Sequence, residues 1–119
     1  EWQGYQGQTF EAIIDMKSPQ PINNLSSTYL QDSKAWILMP KKVEYYVSNN
    51  GKDYVLLKTV DNTVDPKDET IQIKEFSTDV LPTEARFIKV KAYHFGKLPE
   101  WHLGAGGDSY IFIDEISVK

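Results

Sequence analysis

From Thr9 to Met16 the chain alternates, with Phe10, Ala12, Ile14 and Met16 on one side and Glu11 and Asp15 on the other. Successive side chains of a strand point to opposite faces, so this period of two marks a half-buried strand, and a helix would lose the phase within a turn. Lys17-Ser-Pro-Gln-Pro21 breaks the pattern with two prolines, and Ile22 to Leu30 reads as the next strand. Val43, Tyr45 and Val47 alternate with Glu44 and Tyr46. Ser48-Asn-Asn-Gly51 then turns the chain and Tyr54 to Val60 returns. Asn50-Gly51 is the strongest hairpin signal, because both residues tolerate positive φ.

Ile71 to Phe76 predicts a shorter strand, and Arg86 to Tyr93 places Ile88, Val90 and Ala92 inward against Lys89 and Lys91. Tyr110 to Val118 closes the chain with a change of phase near Asp114 and Glu115, the mark of a bulge. No segment keeps a helical period with caps at both ends. Seven or eight antiparallel strands separated by turn signals predict an all-β sandwich or barrel in one domain, residues 1–119.

Strand order has a consequence for sites. If each connection reverses direction, the segment with Trp2 and Tyr5, the stretch Gln31 to Met39, the stretch Asp61 to Glu69 and the stretch His94 to Ser109 share one end. Pro19 and Pro21, Asn50-Gly51 and Leu81-Pro-Thr-Glu84 share the other. All three tryptophans and both histidines are thereby expected at the first end.

Within that end, Lys97 to Asp108 holds Trp101, His102, Glu100, Asp108 and three glycines in one long connection. Connections of this length in compact domains usually bind something or are disordered, and this one has too many apolar residues for disorder. It is expected to fold back on itself and build a site.

Composition narrows the chemistry. With 13 basic and 17 acidic residues the net charge is -4, which offers no basic footprint for nucleic acid or for an anionic membrane surface. No apolar run is long enough to insert through a bilayer as a helix. The absence of cysteine excludes disulfides and thiolate metal sites, and fits either a reducing cytosol or a bacterial secreted protein.

The phrases Val47-Ser-Asn-Asn-Gly-Lys-Asp-Tyr54, Ala85-Arg-Phe-Ile-Lys-Val90 and a final strand with Asp114-Glu-Ile116 resemble the discoidin-like, or coagulation-factor type C, domain. Asn50 stands where that family usually has Asp. More narrowly, Trp2 to Gln8, Tyr29 to Pro40 and Gly96 to Asp108 resemble the C-terminal region of bacterial family 20 glycoside hydrolases, the β-N-acetylhexosaminidases, especially of the Bacteroides group. The resemblance implies a jelly-roll-like sandwich with binding loops at one end. It implies as partners a glycan and the catalytic barrel of the same polypeptide, in a bacterial periplasm, at a cell surface or secreted. The chain is then expected to be a C-terminal piece lacking the family's first segment. Glu115 resembles a position near a structural calcium, whose other ligands belong to that first segment.

A sugar site needs a flat aromatic for the C–H face and fixed polar groups for the hydroxyl rim. Trp36 and Trp101 are the candidate platforms, with Tyr5 beside them, and Gln31, Asp32, His102 and Asp108 the hydrogen-bonding groups. The competing reading buries Trp101 beneath its own loop. Glu100 and Asp108 as a glycosidase carboxylate pair are disfavoured, because a small sandwich rarely encloses a substrate and the resembled enzymes keep their catalytic carboxylates in the barrel. His94, His102 and Glu100 match no zinc spacing, and Gly104-Ala-Gly-Gly107 lacks the residues of a phosphate loop. Asp61, Asp65, Asp68 and Glu69 lack the spacing of a calcium loop and read as a solvated connection.

Overall fold

The computed structural model describes residues 2–98 and 106–119. Six strands follow one another: β1 (Gln3–Gln6), β2 (Phe10–Gln31), β3 (Lys42–Ser48), β4 (Val55–Asp61), β5 (Gln72–Tyr93) and β6 (Tyr110–Val118). They pair antiparallel in the order β1-β6-β2-β5-β3-β4. Two strands of 22 residues, β2 and β5, each join a pair that the sequence pattern separates.

The proline-bearing breaks are outgrowths within those long strands, not chain ends. Asp15 faces Phe87 and Gln20 faces Ala85, so β2 carries extra residues at the position where Lys17 takes φ 73. Ile22 faces Thr83 while Asn24 faces Asp79, so β5 carries its own excess at Leu81-Pro82. Pro21 is tolerated because β6 joins β2 only from Leu25 onward, leaving Pro21 at an edge. Whether such a segment breaks a strand or bulges from it depends on its partner strand.

β3 meets β5 only between Phe87 and Tyr93, and β6 meets β2 only between Leu25 and Leu30. The β2/β5 ribbon therefore carries β3 and β4 on one half, β6 and β1 on the other. Bent at its outgrowths, it lays the two halves face to face as a jelly-roll β-sandwich. Val43, Tyr45, Ile88, Val90 and Ala92 from one wall share a core with Leu25, Tyr29, Phe76, Ile111 and Ile113 from the other.

Tyr45 crosses that core. Its hydroxyl donates to the Phe76 carbonyl at 2.6 Å and lies 2.7 Å from Ser27 Oγ, which donates to the Tyr29 hydroxyl at 3.0 Å. Burial pushes the Tyr45 hydroxyl up to about 12 and the Tyr29 hydroxyl higher still, so both stay neutral, Tyr45 as donor to Phe76 and Tyr29 as acceptor from Ser27.

The phase change in β6 is a bulge: Tyr29 faces Ile113 but Ser27 faces Ile116, one residue too many on β6. Ile111 and Ile113 point inward before it, and Ile116 and Val118 pack on the core after it. The Asn50 hairpin also forms, but as a longer turn. Gly51 alone there has positive φ, at 74°.

Candidate functional site

At one end of the sandwich the chain from Asp32 to Ile37 closes into a tight ring. Asp32 N–H donates to Ile37 O at 2.9 Å and Ile37 N–H to Asp32 O at 3.0 Å, around a single turn of 3-10 helix, Ser33–Ala35. Trp36 ends that turn in the left-handed region, φ 68 and ψ 17. This conformation costs an aromatic residue roughly 1–2 kcal/mol, so its surroundings must hold it there. Tyr110 N–H donates to Trp36 O at 2.8 Å and Leu38 N–H donates to Tyr110 O at 3.1 Å, tying both sides of the turn to the start of β6. Trp36 keeps 37% of its surface exposed.

Beneath the turn, Gln31 is 1% exposed. Its Nε2 donates to Asp65 O at 3.0 Å and Asp68 O at 3.2 Å, and its Oε1 accepts from Met39 N–H at 3.4 Å. The expectation that Gln31 pairs sugar hydroxyls is corrected here: its amide is buried and already bonded, so it braces the turn against the 61–71 connection. That connection is ordered by its own carboxylates. Asp65 and Asp68 accept from the amides of Lys67 and Thr70, and the Thr70 amide holds the Asp68 carboxyl below its usual range.

The long connection does fold back on itself at its base. Leu98 N–H donates to Gly107 O at 2.7 Å, Gly106 N–H to Leu98 O at 3.1 Å, and Ser109 N–H to Gly96 O at 3.1 Å. Lys97 Nζ and Asp108 Oδ1 pair at 2.8 Å across it. Gly7, at φ 65, brings the N-terminal strand close: a Cβ there would lie 3.0 Å from Asp108 Cγ. Gln6 Nε2 donates to Asp108 O at 3.3 Å, and Gly7 N–H to Ser109 O at 3.0 Å. His94 Nδ1 accepts the Gly96 amide at 3.0 Å.

The structure thus brings Trp36, Asp32, His94 and Asp108 to the same end. Asp32 is half-buried and makes no side-chain cap on its 3-10 turn. Trp101, His102 and Glu100 lie outside the described residues.

Tyr5 and Trp2 depart from expectation. The Tyr5 ring faces inward, 5.1 Å from that of Phe10, and its hydroxyl donates to Gln3 Oε1 at 2.9 Å. Gln6, facing Tyr110, is the residue of β1 that reaches the loop end. Trp2 lies four residues upstream, about 13 Å along the strand. Glu115 is exposed in the β6 bulge, and among the described residues no group of three His, Asp or Glu side chains is placed to hold an ion.

Sequence reasoning missed the Lys97–Asp108 clasp and the Gln31 brace. The alternation of Lys97 and Leu98 against Gly107 and Asp108 is the one local signal for the clasp.

The sequence matches the F5/8 type C domain over residues 1–108. The chain belongs to the F5/8 type C family. No curated protein sequence matches it. Among solved structures, CpGH89CBM32-5 from Clostridium perfringens, in complex with GalNAc-β-1,3-galactose, superposes with TM-score 0.57 at 19% identity, covering 91% of this chain and 63% of that one. A pectin-binding carbohydrate-binding module superposes with TM-score 0.58 at 16% identity, covering 99% of this chain and 70% of that one. The C-terminal domain of a chitobiase from Bacteroides fragilis is similar at 17% identity and TM-score 0.47, covering 94% and 66%. The first two of these structures share the jelly-roll β-sandwich fold of this F5/8 type C domain.

Proposed function

We propose that this F5/8 type C domain is a non-catalytic glycan-binding module that binds through its loop end. Trp36 is the platform, with Asp32 and Asp108 as polar partners and Trp101 and His102 contributed by the connection between Leu98 and Gly106. The observation that carries this reading is the Trp36 turn: a half-exposed indole in a left-handed backbone, tied on both sides to β6. Strain maintained by surrounding bonds at an exposed aromatic is the signature of a preorganised contact residue. The solved relatives in complex with GalNAc-β-1,3-galactose or described as pectin-binding support the class of ligand.

The resemblance of Tyr29 to Pro40 and Gly96 to Asp108 to family 20 hydrolases supports the finer reading. In it the domain is an accessory module of a bacterial, extracytoplasmic β-N-acetylhexosaminidase, and the catalytic chemistry resides elsewhere in that polypeptide. Affinity electrophoresis through immobilised glycans bearing N-acetylhexosamine tests the site. Trp36→Ala is expected to abolish retardation while thermal unfolding stays within a few degrees of the parent. Undiminished retardation of the variant contradicts the reading.

A second reading, packing against a catalytic domain, is favoured by Ile71 and Ile73, which are 66% and 65% exposed beside the acidic connection. Under that reading no glycan retards the domain, and a separately expressed catalytic domain binds it.

A further inference from the structure

Asn50 is followed by Gly51, the sequence in which a peptide nitrogen most readily attacks an asparagine side chain, because glycine has no Cβ to hinder the approach. In that reaction Gly51 N bonds to Asn50 Cγ and Nδ2 leaves as ammonia, carrying away the proton that the Gly51 amide loses. Water then opens the resulting succinimide at either carbonyl, leaving aspartate or isoaspartate at position 50. The reaction requires a Gly51 amide free to lose its proton and an Asn50 side chain free to rotate onto it.

The hairpin denies both. The Gly51 N–H donates to Ser48 Oγ at 3.0 Å, and the Asn50 N–H donates to the same oxygen at 3.2 Å. The Asn50 amide is fixed at each of its atoms: Oδ1 accepts from Ser48 Oγ at 3.0 Å, Lys52 N–H at 2.8 Å and Asp53 N–H at 2.9 Å, and Nδ2 donates to Asp53 Oδ2 at 2.8 Å. Ser48 is 5% exposed, so its hydroxyl is a fixed partner, whereas Asn50 itself faces solvent and water reaches it. Side chains of this kind that bond forward to the backbone also set the turn.

We propose that Asn50 is a latent deamidation site, held closed by the Ser48 hydroxyl and the Asp53 carboxylate, and that its conversion is a one-way change in the β3–β4 hairpin. A carboxylate at position 50 loses the donor that now meets Asp53 and puts a second negative charge beside it. Isoaspartate also lengthens the main chain within the turn. The hairpin lies at the end of the sandwich away from Trp36, so the change loosens this end and leaves the proposed glycan site intact.

Peptide mapping by mass spectrometry, after incubation in mildly alkaline buffer, reads the conversion of Asn50 directly. The rate is compared between the folded protein, a peptide of residues 46–55, and the variants Ser48→Ala and Asp53→Ala, with circular dichroism confirming that each variant is folded. The folded protein is expected to convert at least about tenfold more slowly than the peptide, the factor given by breaking two hydrogen bonds of ordinary strength. Each folded variant is expected to recover a severalfold part of that difference. If Ser48→Ala does not fold, Asp53→Ala, at an exposed position, decides. Conversion of the folded parent at the peptide's rate, or folded variants no faster than the parent, overturns the proposal.

Discussion

The two ends of the sandwich are held in opposite ways. At the hairpin end, the polar contacts around Asn50 close within three residues of one another. At the loop end, contacts join residues that are 34 and 37 apart for Gln31 with the acidic connection, and 102 apart for Gln6 with Asp108. The hairpin's polar contacts need only the residues of the turn itself. The loop end also has local turns, at Asp32–Ile37 and in the acidic connection, but long-range bonds tie them to β2 and β6, so its geometry depends on the assembled sheet.

This contrast predicts where substitutions are felt. The largest effect is expected at Gln31→Ala, which removes a buried amide with three hydrogen bonds and takes the acceptor from the buried Met39 N–H, at a cost of about 2–4 kcal/mol. Thermal unfolding should show a fall in Tm of roughly 8–15 °C, with glycan retention weakened because the Trp36 turn loses its support. A fall no greater than that of an exposed control would mean that the loop end is not cross-braced.

The contrast is sharpened by two glycines, one at each end. Gly7→Ala meets Asp108 at 3.0 Å with φ 65, and Gly51→Ala meets the Phe87 ring at 3.2 Å with φ 74. Each is expected to cost about 1–2 kcal/mol from backbone strain and contact. Only Gly7→Ala should also weaken glycan retention, because only it displaces Asp108. Equal effects of both on binding would erase the distinction between the ends.

The smallest effect concerns the bend between the two walls. The Arg86 guanidinium, bonded to Asp15 at 2.8 and 3.0 Å, and then the Lys17 amide hold the Asp15 carboxyl at about 2, below its ordinary 3.8. A carboxyl lowered by folding contributes stability that is present above its unfolded value and lost as pH falls through its folded value. Denaturant midpoints should therefore decline between pH 3.8 and about 2, slightly more in the parent than in Asp15→Asn. Parallel declines would assign the loss to other carboxylates.

What the sequence made legible follows the same division. The alternation of Phe10 to Met16 and of Ile88 to Ala92, and the phase change at Asp114-Glu115, are local patterns of burial and survive intact. Lys17 to Pro21 and Leu81 to Glu84 were legible as breaks but not as bulges, because what a proline does to a strand depends on the strand beside it. Counting reversals correctly grouped Gln31 to Met39, Asp61 to Glu69 and the base of the long connection, since Gln31 bonds to Asp65 and Asp68 and Trp36 bonds to Tyr110. It misplaced Trp2, whose strand approaches that end through Gln6. Residue type alone marked Gln31 as a ligand group. Its burial, which makes it a brace, is a property of the packed fold.

Titration of the ¹⁵N-labelled domain with a glycan carrying N-acetylhexosamine, followed by NMR, tests the central claim most directly. The account predicts shifts at the Trp36 indole N–H and at the amides of residues 32–37, 94–98 and 106–109, with residues 48–53 unmoved. Shifts centred on the hairpin, or none at Trp36 under conditions where the glycan binds, would contradict it.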